Sequence, residues 1–291
     1  MQPPPQHDPP RSTRRAGNAV GSRGARSPSV LDLVRLSPQP VFPPGGEDLY
    51  RQIALLTDLE KGQEVMDSAC GRGLSTAFLA STYGVEAHGI DADPLLIDDA
   101  EQRARGSGLE ERLHFQSGPP DDLPYKDGIF DLAIGEVGLS TSADPVRAVR
   151  ELARVTRPLG RVALVQLVWT GNVADEKREE LIEHLGARPM LLVEWKQLLR
   201  DAGVVELHVE DWSDQSSRNR PQAASPFHDM AEIFTFRQKL EILRRALRRW
   251  GWRGVRGAIM REQEIHHLLT RQRVLGLVLI IGTRWEAASV G

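Results

Sequence analysis

The hydrophobic positions of this chain change period repeatedly from residue 47 onward, between the roughly two residues of a strand and the roughly 3.6 of a helix. The pattern predicts a helix over Asp48–Leu56, a strand at Glu64–Asp67, a glycine turn, a helix over Ser75–Ser81 and a strand at Val85–Asp91. Asp93 and Pro94 form an N-cap and first-turn pair that starts a helix running to Arg105. Further strands are predicted at Leu113–Gln116, Phe130–Gly135 and Arg161–Val168, with a helix over Pro145–Thr156 between the last two, ended by Pro158 and Gly160. Strands separated by helices of this length need right-handed crossovers, which makes the fold α/β: a doubly wound, mostly parallel sheet between two layers of helix. Ligands of such sheets bind at the carboxyl ends of the strands.

The second half is less regular. A helix over Glu194–Ala202 leads through Gly203 into a strand at Val204–Asp211, and Ser213–Ser225 is a polar, proline-containing linker. Beyond it Ile233, Phe236, Leu240, Leu243, Leu247 and Trp250 recur at helical spacing and predict one buried helix face. A helix over Met260–Thr270 and a closing strand at Leu275–Thr283 complete the set, with no internal repeat. Residues 213–272 thereby form a helical insertion, or cap, ahead of the last strand.

Residues 1–30 break the pattern: five arginines and six prolines stand against the single acid Asp8, with almost nothing apolar to bury. Such a segment does not offset its own ordering entropy, so it is predicted to be a disordered basic tail ahead of a folded domain over 31–291. It lacks the apolar core of a secretory signal, and Arg14-Arg15 is therefore not taken as an export address. The tail carries +4 of a total charge of −3, leaving −7 on the remainder. That balance gives no global attraction to nucleic acid or anionic membrane, though a local basic patch remains compatible with it. The apolar run Val274–Ile281 has strand length, and no stretch approaches the ~18 residues of a membrane span. One cysteine, Cys70, makes neither an internal disulfide nor a thiolate cluster, and the eight histidines show no ligand spacing. The chain is expected in the cytoplasm without a bound metal.

Candidate chemistry concentrates where the first strand meets its helix, at Glu64-Val65-Met66-Asp67-Ser68-Ala69-Cys70-Gly71-Arg72-Gly73-Leu74-Ser75-Thr76. Gly71 and Gly73 let the backbone turn sharply and approach a ligand that a Cβ would obstruct. Asp67 can accept a hydrogen bond or face an ammonium. Asp91 ends the next strand 24 residues later, where a carboxylate can take both hydroxyls of a ribose. A dinucleotide pattern G-x-G-x-x-G begun at Gly71 needs glycine where the chain has Thr76, which disfavours a nicotinamide cofactor. Two more segments follow in order: Gly118-Pro119-Pro120-Asp121-Asp122-Leu123-Pro124-Tyr125, leading to Phe130-Asp131-Leu132, and Asp144-Pro145 with Arg150-Glu151-Leu152-Ala153-Arg154-Val155-Thr156-Arg157-Pro158-Leu159-Gly160-Arg161.

These four elements together resemble the ordered motifs of class I S-adenosylmethionine-dependent methyltransferases, most nearly the small-molecule type 11 branch, over residues 40–211. The resemblance implies a Rossmann-like, three-layer α/β/α fold with a seven-stranded sheet whose last strand is antiparallel. It implies S-adenosyl-L-methionine as cofactor and transfer of its methyl group to a small-molecule N, O or C nucleophile. By position it implies cofactor contacts at Asp67, Ala69, Cys70, Gly71, Gly73, Asp91, Ala92, Gly118, Pro119, Asp121, Gly135 and Glu136. Glu136, just after the fourth strand, is the one catalytic candidate, with an exposed loop acid as the alternative; no other general base is assignable.

Three positions depart from the family pattern. Ala69 replaces the first glycine of the loop, Leu159 replaces a glycine in the turn into the fifth strand, and Pro119 stands where the acid that takes the adenine amino group is usual. Proline offers neither a side-chain acceptor nor an N–H, so adenine is left to Asp121, Asp122 or the backbone. Cys70 lies inside the loop and is expected to pack. Ile134-Gly135-Glu136-Val137 lacks the proline-aromatic signature of DNA amino methylation. Trp169 and Thr170 follow the fifth strand, with core packing favoured for Trp169 over an acceptor pocket. From Arg244 to Arg256 there are six arginines, no acid, and Trp250 and Trp252: a solvated face, a lid for an anionic or conjugated substrate, or an RNA contact. The alternatives to a small-molecule acceptor are thus RNA methylation through this segment, or a degenerate module without catalysis. Oligomeric state is left open.

Overall fold

The alternation of periods becomes alternation of strands and helices in the computed structural model, which describes residues 42–171, 173–213, 236–267 and 274–285 together with Ser29, Asp32 and Leu36. Helix α1 (Gly46–Leu56) starts at Gly45, whose φ of 93° and closeness to Leu49, 2.5 Å from where a Cβ would stand, leave room for glycine alone. Strand β1 (Glu64–Ser68), α2 (Leu74–Tyr83), β2 (Glu86–Asp91) and α3 (Pro94–Ser107) follow as the periodicity predicts. Asp93 caps α3 by accepting from Leu95 N at 3.0 Å, and Pro94 sits in its first turn. Strands β3 (Leu113–Ser117) and β4 (Phe130–Gly135) precede a short 3-10 turn (Val137–Thr141). Helix α4 (Pro145–Val155) is capped by Asp144, which accepts from Arg147 N at 2.9 Å.

The chain then builds β5 (Thr156–Trp169), α5 (Asp175–Leu185), a two-residue β6 (Met190–Leu191), α6 (Leu192–Asp201), β7 (Val204–Asp211), α7 (Phe236–His267) and β8 (Leu275–Arg284). The strand order is 3-2-1-4-5-8-7, with β6 beside the end of β5. Strands β1 to β5 are parallel, and β8 runs antiparallel to both of its neighbours, β5 and β7. This is the Rossmann-like doubly wound sheet, with the short β6 added to the seven expected strands. Leu49, Tyr50 and Ile53 of α1, Leu79 of α2 and Leu181 of α5 pack into one apolar cluster, while Leu152 of α4 and Trp195 of α6 pack into the other. The carboxyl ends of β1, β2, β4 and β5 therefore open onto one edge, bordered by α1 and the 3-10 turn.

Two stretches differ from the sequence expectation. Strand β5 starts at Thr156 rather than Arg161, because Thr156 leaves α4 extended, with its Oγ1 donating to Leu152 O at 2.6 Å, and pairs at once with Phe130. The intervening irregularity holds Leu159 at φ 62°, exposed, which accounts for glycine being the family choice there. Leu159→Gly is expected to raise unfolding stability by about 1 kcal/mol in urea titrations, since the left-handed region penalises a Cβ that packs on nothing here. Helix α5 and β6 were not predicted. Asp175–Leu185 is mostly charged, and only Leu181 and Leu185, one turn apart, are buried.

Helix α7 revises the cap. Its buried positions are Ile242, Ala246 and Val255, with Leu243, Leu247 and Trp250 half-buried and Leu240 48% exposed, so the stripe is displaced from the one the spacing predicted. The helix packs against α5. Gly251 interrupts the helix at φ 67°, and the helix predicted from Met260 is its continuation to His267. Ile233, the Phe236 side chain, residues 268–270, most of the Ser213–Ser225 linker and the 1–30 tail, Ser29 apart, lie outside the described residues. No helix among the described residues is long and apolar enough to cross a membrane.

Candidate functional site

The turn after β1 is held by its own backbone. Cys70 N donates to Ile90 O and Gly73 N to Cys70 O, both at 3.0 Å, and Ala69, Gly71 and Gly73 all take positive φ, at 63°, 57° and 69°. Gly71 has nothing within 4 Å of where a Cβ would lie, so its backbone borders open space. Gly73 differs: a Cβ there would meet Phe115 at 2.5 Å, so that glycine serves packing. Asp91 fixes the loop across β2. Its Oδ2 accepts from Gly71 N at 3.0 Å and its Oδ1 from Asp93 N at 2.9 Å, with lone pairs left on each oxygen.

Behind the loop lies a buried set of acids. Asp67 is fully buried, and its Oδ2 accepts from Ser75 Oγ at 2.8 Å and Thr76 Oγ1 at 2.6 Å, while its Oδ1 has no partner among the described residues. Burial, with the Asp91 charge adding to it, pushes its carboxyl up to about 6. Glu136 is only 3% exposed, which overturns the exposed-loop alternative; its Oε1 accepts from the Tyr50 hydroxyl, and its Oε2 has no partner among the described residues. Burial and then the Asp67 charge raise it well above its ordinary range, and burial with the Glu136 charge raises Tyr50 likewise. No lysine or arginine among the described residues offsets either acid. Two buried carboxylates without a countercharge are costly in an empty protein and suit a cationic guest.

A methyltransferase-domain family model of type 11 matches residues 66–164, the span from β1 into β5 that carries this loop and these acids. The matched span carries a class I S-adenosylmethionine-dependent methyltransferase domain. It is 29% identical to methyltransferase GfsG of Streptomyces halstedii over 187 residues, covering 62% of this chain and 67% of that one. It is 28% identical to the 27-O-demethylrifamycin SV methyltransferase of Amycolatopsis mediterranei over 188 residues, covering 63% and 69%. Among solved structures, the [4+2]-cyclase SpnF superposes with a TM-score of 0.64 at 23% identity, covering 83% of this chain and 82% of that one, a likeness of fold.

Within this methyltransferase the other expected positions divide by environment. Ala92 is exposed, Asp121 half-buried, and Gly118 borders open space while donating its N–H to Asp91 O at 3.0 Å. Pro119 is exposed; its carbonyl accepts from Asp122 N at 3.3 Å, and the Asp122 side chain points to Arg147 at 3.3 Å. Gly135 is required by packing, since a Cβ would stand 2.8 Å from both Leu152 and Leu164, and its carbonyl accepts from Gln166 Nε2 at 3.0 Å. Cys70 packs as expected: its Sγ lies 2.8 Å from where a Gly89 Cβ would be, and burial with three nearby acids raises the thiol, keeping it protonated. Trp169 is buried in the core beneath Arg178.

Tyr50, Ser75 and Gln166 carry no role in the sequence reading, and Thr76 enters it only as the residue that breaks the dinucleotide pattern. Ser75 and Thr76 had a local signal, two hydroxyls in the first turn of α2 facing back to the strand they follow. Gln166 had another, one polar residue in an otherwise apolar run; its amide also donates to Glu136 O at 2.7 Å and fixes the chain end of β4. No metal-binding group of three or more His, Cys, Asp or Glu side chains occurs among the described residues.

Proposed function

We propose that Asp67 and Glu136 hold the ammonium end of S-adenosylmethionine, Asp91 its ribose and the Ala69–Gly73 loop its flank, and that the methyl group passes to a hydroxyl of a small organic acceptor. The observation that carries this reading is the pair of buried carboxylate oxygens, Asp67 Oδ1 and Glu136 Oε2, without donor or countercharge among the described residues. The fit to the cofactor is chemical: acceptors for an ammonium, a doubly accepting carboxylate for a diol, and the open side of Gly71. Ala92 and Gly118 leave space for the adenine ring, and its amino group falls to Asp121, since Pro119 has nothing to offer it.

The chemistry supplied there by bound S-adenosylmethionine is a methyl carbon already activated on a sulfonium. For an acidic hydroxyl, such as a phenol or enol that has already given its proton to solvent, what remains for the chain is alignment of the acceptor oxygen and exclusion of water from the transfer, which supply on the order of 7–11 kcal/mol of barrier lowering. Glu136 serves this by holding the cofactor, anchored by Tyr50 and the Gln166 amide, rather than by taking a proton. A hydroxyl acceptor is supported by the rifamycin relative, whose name specifies an O-demethyl substrate. The single buried thiol suits the reducing cytoplasm.

Release of S-adenosylhomocysteine is the measurement, across a panel of phenols, alcohols, amines and RNA. Turnover with hydroxyl compounds is expected. Turnover with RNA alone would replace the acceptor, and failure of calorimetry to detect S-adenosylmethionine binding would remove the reading altogether.

A further inference from the structure

The arginine segment of the cap faces outward. In the first half of α7, at roughly 100° per residue, Arg244 and Arg248 fall on the side opposite Ile242 and Ala246, Arg245 and Arg249 flank the buried pair, and all four are exposed. Arg245 pairs with Glu241 and donates to Leu36 O, and the Arg249 guanidinium lies 5.5 Å from the Trp250 ring. After the turn at Gly251, Trp252 is 68% exposed and Met260 61%, and Ile259 is also exposed. With Arg253 and Arg256 they share an arc of about 120° that excludes the buried Val255. Arg244, Arg248, Arg253 and Arg256 form no ion pair among the described residues.

Each simpler reading of this segment leaves part of it unexplained. A solvated face has no use for exposed tryptophan, isoleucine and methionine side by side. A substrate lid would turn its arginines inward. An RNA contact would use arginine and tryptophan but not the aliphatic Ile259 and Met260. We propose that α7 docks this protein onto the surface of an anionic phospholipid bilayer. The guanidiniums meet lipid phosphates, Trp252 lies at headgroup level, and Ile259 and Met260 enter the acyl boundary, while the arginine stems span the interval between. Six arginines without an acid between Arg244 and Arg256, on a chain of net charge −3, concentrate positive charge on this segment of the folded part. Contact with α5 and the Arg245 bond to Leu36 tie the helix to the body of the protein and leave Arg248, Trp252, Arg253, Arg256, Ile259 and Met260 exposed.

The test is cosedimentation of the full-length chain, without cofactor, with vesicles of phosphatidylcholine alone or mixed with phosphatidylglycerol. Binding to the mixed vesicles only, reversed by salt, is expected. The triple variant Arg248→Glu/Arg253→Glu/Arg256→Glu is expected to bind on the order of a hundredfold more weakly, at about fivefold per arginine. Trp252→Ala is expected to lose about tenfold, and lysine at the same three arginine positions to retain binding. Three results would overturn the proposal: no binding to mixed vesicles, equal binding by the triple glutamate variant, which would assign it to the basic tail, or single-stranded RNA binding that needs the arginines but not Trp252, Ile259 or Met260. All these variants should bind S-adenosylmethionine as the wild type does, so failure here is distinguishable from failure of the methyl-transfer reading.

Discussion

Asp67→Asn is expected to make the cofactor-free protein more stable at neutral pH and to weaken S-adenosylmethionine binding on the order of a hundredfold. The two effects share one cause. The Asp67 carboxyl is raised from 3.8 to about 6 by burial, so the folded state takes up its proton more readily than the unfolded chain does. Stability contributed by that proton is present at low pH and is lost as pH rises through the window from 3.8 to about 6. Two units correspond to about 3 kcal/mol, of which the unsolvated amide N–H of asparagine returns about 1, leaving a net gain of about 2 kcal/mol at neutral pH. Its carbonyl oxygen still accepts from Ser75 and Thr76, so the local fold is kept. In the proposed seat, the cofactor would lose a full negative charge opposite its ammonium. Wild-type affinity should therefore rise with pH through about 6 as protons stop competing, and the variant's dependence should be shallower. Calorimetry and urea denaturation across this range measure both; unchanged affinity, or a variant less stable than wild type at neutral pH, would sink the carboxylate seat.

The contrast between what was and was not legible in the sequence follows contact distance along the chain. The glycine loop, Asp67 and Asp91 belong to one strand-turn-helix-strand run whose spacing is set by local geometry, so residue types at fixed offsets suffice to find them. Glu136 was found by its place after β4, but its burial was not, because the partner that covers it, Tyr50, is 86 positions away. Tyr50 reads in the sequence as another apolar residue of α1, beside Leu49 and Ile53. The same limit produced the misplaced stripe on α7. Spacing alone accepts Leu240, Leu243 and Leu247 as a face, whereas the folded chain buries Ile242 and Ala246 instead, a choice made by tertiary packing that local spacing does not contain. Helix α5 escaped because two buried leucines make too narrow a stripe to register as periodic.

Asp91→Asn, a change of the same kind 24 residues on, is expected to act on stability with the opposite sign, costing about 2 kcal/mol, and to weaken cofactor binding by roughly a hundredfold. Asp91 already serves two backbone donors, Gly71 N and Asp93 N, one on each oxygen. Asparagine has one acceptor, so in either orientation a backbone N–H faces an NH2 group and goes unpaired. If Gly71 is the one released, the loop loses its tether across β2, and its amide should exchange with solvent faster than in the wild type. If Asp93 is released, the start of α3 frays instead. Either way the proposed diol seat keeps only half its acceptors, which is where the affinity is lost. The two acids are also coupled: the Asp91 charge contributes to the raised Asp67 carboxyl. Removing it should move the Asp67 titration down from about 6 toward its ordinary range, so the loss of stability with rising pH should be shallower in Asp91→Asn than in the wild type. A pH profile of unfolding that leaves this slope unchanged would show that Asp91 acts on the loop alone and not on the buried acid behind it.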